Sequence, residues 1–336
     1  MEKIEETIKE LKELYTKAVT PRDYWQVWEK SLALRAELPS DIPLAILAKI
    51  MLNGFWARYY RIKKSLPELQ YDREILYDEV ALYFHALTTG DDLEITINYG
   101  YLLSIILSQL KEAPKSAERI NDEISRLVKS DGNVVLGLKV INAQGLNAMQ
   151  KKDWQGAIVI LTTAKQKFQE ALNIPEALQH FANILNNRGL SRLNLSDGVE
   201  GWKEKKGLIS SAIVDLRDAE QLYMKVTPPP LKHIDGLENR LIMAAMRILS
   251  LEGGELAKAG ERIKAAFETK NREGAKKIIF SLRELTMDDV KMIAKIEGKL
   301  ESEVVISGDT MVFVGAIQVG LRMADEFLEI YKEEAK

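Results

Sequence analysis

Hydrophobic and polar positions follow the period of an α-helix along almost the whole chain, and nowhere the sustained two-residue alternation of a strand bounded by turn residues. Met1–Val19 sets Ile4, Ile8, Leu11, Leu14, Tyr15 and Ala18 on one face. Pro21 suits the first turn of a second helix, because its ring fixes φ near the helical value, and that helix stops before Pro39. The pair is expected to form a hairpin with Leu14, Ala18, Tyr24 and Val27 at its seam. A third helix is predicted over about Ile42–Lys64, closed by Leu66-Pro67, and another over Asp72–Thr88, stopped at TTGDD. There Gly90 suits a C-terminal cap, and Asp91 or Asp92 an N-cap. Helices follow near Leu93–Lys111 and Pro114–Ser130, and Ser130–Asn133 (SDGN) reads as a turn and a subdomain boundary.

Between Leu136 and Ala219 the pattern becomes self-similar. Helices are predicted over Val134–Gln150, Asp153–Leu172, Pro175–Leu195 and Leu208–Val226, with the polar segment Ser196–Gly207 as an insertion between the last two. In the first pair Gly145 is followed by Ala157, Leu161 and Ala164; in the second Gly189 is followed by Ala212, Leu216 and Ala219. A small residue on each of two antiparallel helices lets their backbones approach, and the larger residue fills the space left, so the recurrence points to a helical repeat. Pro228–Pro230 is a stiff extended connector. Beyond it helices are predicted near Leu237–Leu251, Gly254–Lys270, Arg272–Leu285, Met287–Glu303 and Asp309–Glu334, with Gly253-Gly254 as a helix-breaking turn. The signature returns there, with Ala266 before a turn and Ala275, Ile279 and Leu282 after it.

On these residues the central hairpins resemble tetratricopeptide repeats, a family of helical pairs with a period of about 34 residues. Gly145, Ala148, Trp154, Ala157, Leu161 and Ala164 match its pattern in register, and Gly189, Ala212, Leu216 and Ala219 match once the insertion is allowed. Tyr15–Pro39 and Arg262–Leu285 match in part, while Ala148 and Arg192 stand where the family places an aromatic. HEAT-type helical pairs would bury similar patterns. The resemblance implies an all-α fold, an α-solenoid or right-handed superhelix of antiparallel helical hairpins. Three parts are expected: aromatic-rich hairpins over 1–130, the central repeat-like hairpins over 131–227, and hairpins continuing the array over 228–336.

Composition narrows the function classes. The chain has 336 residues, 46% apolar and 29% charged, as in an ordinary folded protein. Its 47 basic and 50 acidic residues leave a formal charge of −3, which argues against a general nucleic-acid coat. The absence of cysteine removes disulfides, thiolate nucleophiles and Cys-based metal sites together. With abundant Lys and Glu it fits a cytoplasmic protein from a thermophile. The opening MEKIEETIKELKEL reads as a charged helix rather than a signal peptide, and the longest apolar runs, near Leu102–Leu107 and Met311–Ile317, fall short of a membrane span.

In proteins similar to tetratricopeptide repeats, the first helices line a concave groove that receives peptides. Here those helices carry Lys139, Asn142, Asn147, Asn183, Asn186, Asn187, Arg188 and Asn194. Asparagine is poor in a helix interior because its amide competes with the backbone, so the cluster has either a polar ladder for an extended peptide or a solvated helix face as its reason. Lys139 and Arg188 would serve carboxylates. The function expected is a non-catalytic scaffold or adaptor for a protein or peptide partner, with no cofactor and self-association left open. A second reading is nucleic-acid binding through Phe55–Lys64, where Arg58, Tyr59, Arg61, Lys63 and Lys64 set cations beside rings. The same rings at helical spacing equally suit a core with cations at its rim. A third is a magnesium-dependent helical enzyme acting on prenyl diphosphates. Asp91–Glu94 (DDLE) is similar to the aspartate-rich motif of that class, but the Arg pair is missing, and Asp288-Asp289 lacks a third carboxylate. Both Asp pairs also suit helix N-caps. His85, His180 and His233 have no metal-ligand spacing.

Overall fold

The computed structural model describes residues 2–18, 20–38, 44–65, 93–109, 114–131, 133–167, 174–227, 230–282 and 310–334. The described residues are all-α and contain no strand. The helices are α1 (Glu2–Lys17), α2 (Pro21–Glu37), α3 (Leu44–Ser65), α4 (Leu93–Gln109), α5 (Pro114–Asp131), α6 (Val134–Gln150) and α7 (Trp154–Thr162), which tightens into a 3-10 turn at Thr163–Lys167. There follow α8 (Pro175–Asp197), α9 (Trp202–Tyr223), α10 (Leu231–Ser250), α11 (Gly254–Glu268), α12 (Arg272–Ser281) and α13 (Thr310–Glu334). No described helix is long and apolar enough to cross a membrane.

Several boundaries are set by caps. Pro21 opens α2 behind Thr20, whose hydroxyl accepts from the Asp23 amide while the Asp23 carboxylate accepts from the Thr20 amide at 2.7 Å, a reciprocal box that satisfies two orphan donors. Asn133 caps α6 by accepting from Leu136, and Asn271 caps α12 by accepting from Gly274.

The chain gathers into two compact units. One comprises Met1–Asp153, Thr163–Phe181 and Val226–Lys232; the other comprises Trp154–Thr162, Ala182–Lys225 and His233–Lys336. The core of the first is built from Leu11, Trp28, Ile50, Met51, Phe55, Tyr99, Leu102, Leu103 and Ile106 on α1 to α4, joined by Ile124 of α5 and by Leu136 and Val140 of α6. Gly54 brings α3 close to α2, since a Cβ there would lie 2.8 Å from Ser31 and 3.2 Å from the Trp28 ring. In the second, Ile209, Ala212, Ile213 and Leu216 of α9 are buried, as are Leu237, Leu241 and Ile248 of α10 and Phe313, Ile317 and Leu321 of α13.

Three sequence expectations are corrected. Leu14 is exposed rather than at the α1–α2 seam, which is made by Ala18, Tyr24 and Val27 with Ala57 of α3. Leu11 and Ala18 are a heptad apart and share a line down α1, whereas Leu14 lies about 60° to the side of it. Ser196–Gly207 is mostly helix: α8 runs to Asp197 and α9 starts at Trp202, so only Gly198–Gly201 lies outside helix. The run WKEKK consists largely of good helix formers, and Gly201 serves as the N-cap. Finally, α7 stops being α-helical at Thr162, ten residues before the predicted end at Leu172. Val159, Ile160, Thr162 and Thr163 are β-branched, and the Thr162 hydroxyl donates back to the Ile158 carbonyl at 2.7 Å. The predicted helices at Asp72–Thr88 and Met287–Glu303 lie outside the described residues.

Candidate functional site

The hairpin of α8 and α9 carries Asn183, Asn186, Asn187, Arg188 and Asn194, most of the expected groove residues. It closes through Gly189, where a Cβ would meet Leu216 at 3.0 Å and the Ala212 carbonyl at 3.2 Å, so the small residue is what permits the approach. Around this contact the polar residues pair with one another. Tyr223 donates its phenol proton to the Asn183 side-chain oxygen at 2.7 Å and accepts from the Asn186 amide at 3.3 Å. Asn186 keeps a buried carbonyl oxygen with no hydrogen-bond partner. His233 stacks on the Tyr223 ring, 5.5 Å between centroids. One turn further along α8, Arg188 makes a two-pronged contact with Asp215 of α9 at 3.0 and 2.6 Å, and Arg192 joins the same carboxylate while donating to the Ser211 carbonyl at 3.1 Å. Burial lowers the Arg192 pKa, Asp215 pulls it back up, and neighbouring Arg188 pushes it down again.

A second set of contacts runs from α8 to α10. Arg240 donates to Asn187 at 3.4 Å and Arg247 to Asn194 at 3.5 Å, with Arg247 also bidentate on Asp197 at 2.9 and 2.6 Å. Asn187 to Arg240 and Asn194 to Arg247 are both steps of 53 residues, so α8 and α10 run parallel in one register. From α10 to α12 the steps are 37 and 38: Asp235 to Arg272 at 2.8 Å and Glu238 to Lys276 at 2.9 Å. These helices are again parallel. Between them α9 and α11 run back, α9 against α8 as above and α11 against α10, where a Cβ on Gly260 would fall 2.8 Å from Ser250 Oγ and 3.1 Å from the Met246 carbonyl.

The remaining predicted residues belong to the other compact unit. Lys139 is buried and paired with Glu94 at 3.4 Å and Glu176 at 3.8 Å. Asn142 is buried and donates to the Tyr101 hydroxyl at 2.6 Å. Asn147 has a buried side-chain oxygen without a hydrogen-bond partner. In the aromatic stretch Tyr59 is buried, Tyr60 stacks with Tyr24 at 5.6 Å, and Trp56 with Tyr60 at 6.0 Å. Arg58 lies over the Trp28 ring and Arg61 over Trp25, at 5.2 and 3.8 Å. The rings are therefore packed among themselves, with two of the cations resting on indoles. The side chains of Lys63 and Lys64, and Asp91, Asp92, Asp288, Asp289 and His85, lie outside the described residues; Glu94 holds Lys139. Among the described residues no group of His, Asp and Glu is arranged to hold a metal ion.

Sequence reasoning passed over the acidic partners. Asp215, Glu220 and Glu238 are buried carboxylates that sit beside the apolar residues Leu216, Ala219 and Leu237. The available signal was a charge inside an otherwise apolar stripe at helical period, a position that burial makes costly unless a cation faces it. Comparison with protein-family models, curated proteins and solved structures finds no match.

Proposed function

We propose that this protein is a non-catalytic scaffold or adaptor of tetratricopeptide-like build, which receives a carboxylate-bearing segment of a partner protein along its first helices. The observation that supports this most is the constant register of α8 and α10. It sets Arg188, Arg192, Arg240 and Arg247 on two parallel neighbours, each side chain part-exposed rather than lost to the core. Guanidinium groups aligned at fixed spacing suit carboxylates that recur along an extended chain. The asparagines have a different task in this reading. Asn183, Asn186, Asn187 and Asn194 brace Tyr223, Arg240 and Arg247, and so hold the wall rigid instead of touching the ligand themselves. A preorganised wall loses less entropy on binding than one that must be ordered by its ligand.

The test is fluorescence anisotropy of a labelled Glu-rich decapeptide, a neutral Gln-rich control and a labelled single-stranded oligonucleotide. The acidic peptide should bind, weaken with salt, and lose several-fold in affinity on Arg240→Gln while the helical signal and melting temperature stay close to the parent. Equal binding of the acidic and neutral peptides, or no loss in the variant, removes the reading. Tight binding of the oligonucleotide that Arg58→Glu with Arg61→Glu abolishes would favour nucleic acid instead.

A further inference from the structure

The long helix α13 meets α9, α10 and α12. Gly320 is the crossing point: a Cβ there would lie 2.7 Å from the Arg217 guanidinium of α9 and 2.9 Å from a Leu241 methyl of α10. Arg217 also reaches the Met323 sulfur at 3.6 Å. Gln318 donates to the carbonyls of Ile279 and Leu282 at the end of α12, at 2.8 and 3.2 Å, and so adds a side-chain donor at that helix terminus. Thr310 meets Glu252 beyond the end of α10. None of the Gly320, Met323 and Gln318 contacts changes its protonation near neutrality. The contact at Lys276 is of another kind. Lys276 of α12 bonds Glu238 of α10 at 2.9 Å and, on its other side, Asp325 of α13.

We infer that α13 is docked by an acid-tightened clasp, in which a protonated Glu238 donates a hydrogen bond to Asp325 beside Lys276, and loss of that proton loosens α13 from α10 and α12. Among the described residues, α9 brings Arg217, paired with Glu220, against α13. From α10 come Asp235 and Glu238, from α12 Arg272, Glu273 and Lys276, and from α13 Asp325. Arg272 serves Asp235 and Glu238, both at 2.8 Å, and Glu273 approaches Lys276 at 3.5 Å. On α13 itself Arg322 is turned to the Phe280 ring, and Glu326 and Glu329 face solvent.

When Asp235, Glu238, Glu273 and Asp325 are all ionised they outnumber Arg272 and Lys276, the cations they are paired with among the described residues, and Glu238 and Lys276 are almost wholly buried. A proton on Glu238 removes the charge that costs most to bury and turns its repulsion from Asp325 into a donated hydrogen bond. Burial first, and the bond to Asp325 second, lift Glu238 to about 7, against the opposing pull of Lys276 and Arg272. Once α13 leaves, water reaches Glu238 and its carboxyl returns toward the ordinary value of 4.5. Docking is then strongest below about pH 4.5, weakens by up to tenfold per pH unit as the pH rises to about 7, and is level above that. The proton is released to solvent as α13 comes away, and no other chemistry is needed.

The clasp is independent of what the first helices bind, and its test needs no partner. Amide exchange of the full chain is followed at about pH 5.5 and pH 7.5, as protection factors corrected for the intrinsic rate. Amides of Thr310–Glu334 should lose about tenfold or more in protection at the higher pH, while those of α4 show no fall. In Glu238→Gln, which mimics the protonated acid, α13 should hold its acid-side protection at both pH values. Asp325→Asn should leave a smaller fall than the parent's, since burial still raises Glu238 without the bond to Asp325, and it decides alone if Glu238→Gln lacks the parent's helical signal. Equal protection of α13 at the two pH values overturns the clasp, as does an equal fall in α4 and α13 or a parent-like fall in the folded variants.

Discussion

Two glycines on neighbouring helices have opposite surroundings, and the same substitution should change sign between them. Gly189 of α8 faces Leu216 and the Ala212 carbonyl at 3.0 and 3.2 Å, so a methyl group forces the two helices apart. Gly207 of α9 has nothing within 4 Å of where a Cβ would stand. Alanine is favoured over glycine in a helix by about 0.8–1 kcal/mol, and overpacking a close contact costs about 1–3 kcal/mol. We expect Gly207→Ala to stabilise by roughly 0.5–1 kcal/mol and Gly189→Ala to destabilise by about 1–2 kcal/mol net, read from urea midpoints at unchanged slope. The importance of Gly189 was legible in the sequence, because Ala212 and Leu216 recur at helical spacing on the partner. Gly207 reads in the sequence as the end of a polar insertion, whereas it lies inside α9. Its neighbours Lys203, Glu204, Lys205 and Lys206 carry the helix through it.

At the level of the element, the hairpin of α8 and α9 is tied by one carboxylate to two cations. Asp215 is nearly inaccessible, with a side-chain exposure of 3%, whereas Arg188 and Arg192 keep 13% and 21%. Asp215→Asn keeps the shape but leaves two guanidinium groups pointing at a neutral amide. Removing one partner of a buried pair costs about 3–5 kcal/mol, and the partial exposure of the arginines places this case near the lower figure. Arg192→Gln should cost less, about 1 kcal/mol, since Arg188 retains its two-pronged contact. Equal effects of the two changes would show that the carboxylate is not the centre of the tie. The sequence pattern did identify these helices, because the apolar residues from Ile209 to Tyr223 recur at helical period around Asp215 and Glu220. It did not reveal which polar residues face each other across the seam. That depends on the rotation of two helices about their axes, fixed here by the Gly189 contact. The choice between a peptide ladder and a solvated face for the asparagines stays open in the sequence for the same reason. A mid-helix asparagine demands a hydrogen-bond partner, but its spacing alone does not distinguish a peptide from Tyr223.

Across the whole molecule, helical content was legible from period alone, whereas the division into two compact units was not. Contacts between residues far apart in sequence decide which helices share a core, as when Tyr99 donates to the Ala48 carbonyl at 2.8 Å. Whole-chain stability also sums over both units, and two titrating groups enter that sum with opposite sign. His180 is half-buried; burial first, then Lys139 and Lys12, push its pKa well below the usual 6.5. The unfolded chain takes up this proton and the folded chain refuses it, so stability rises with pH up to about 6.5. Glu238 does the reverse: raised to about 7 from 4.5, it keeps a proton in the fold that the unfolded chain has lost, so stability falls as pH rises between those values. Each slope has a ceiling of about 1.4 kcal/mol per pH unit, and over the acid side of neutrality the two oppose each other. The parent should therefore show a nearly level unfolding free energy between about pH 5.5 and 6.5. Glu238→Gln should uncover a rise with pH over that range, and His180→Gln a fall, when urea unfolding is repeated at half-unit steps. If both variants kept the parent's level profile, neither group would carry a shifted proton in the fold, and the balance between them would have to be abandoned.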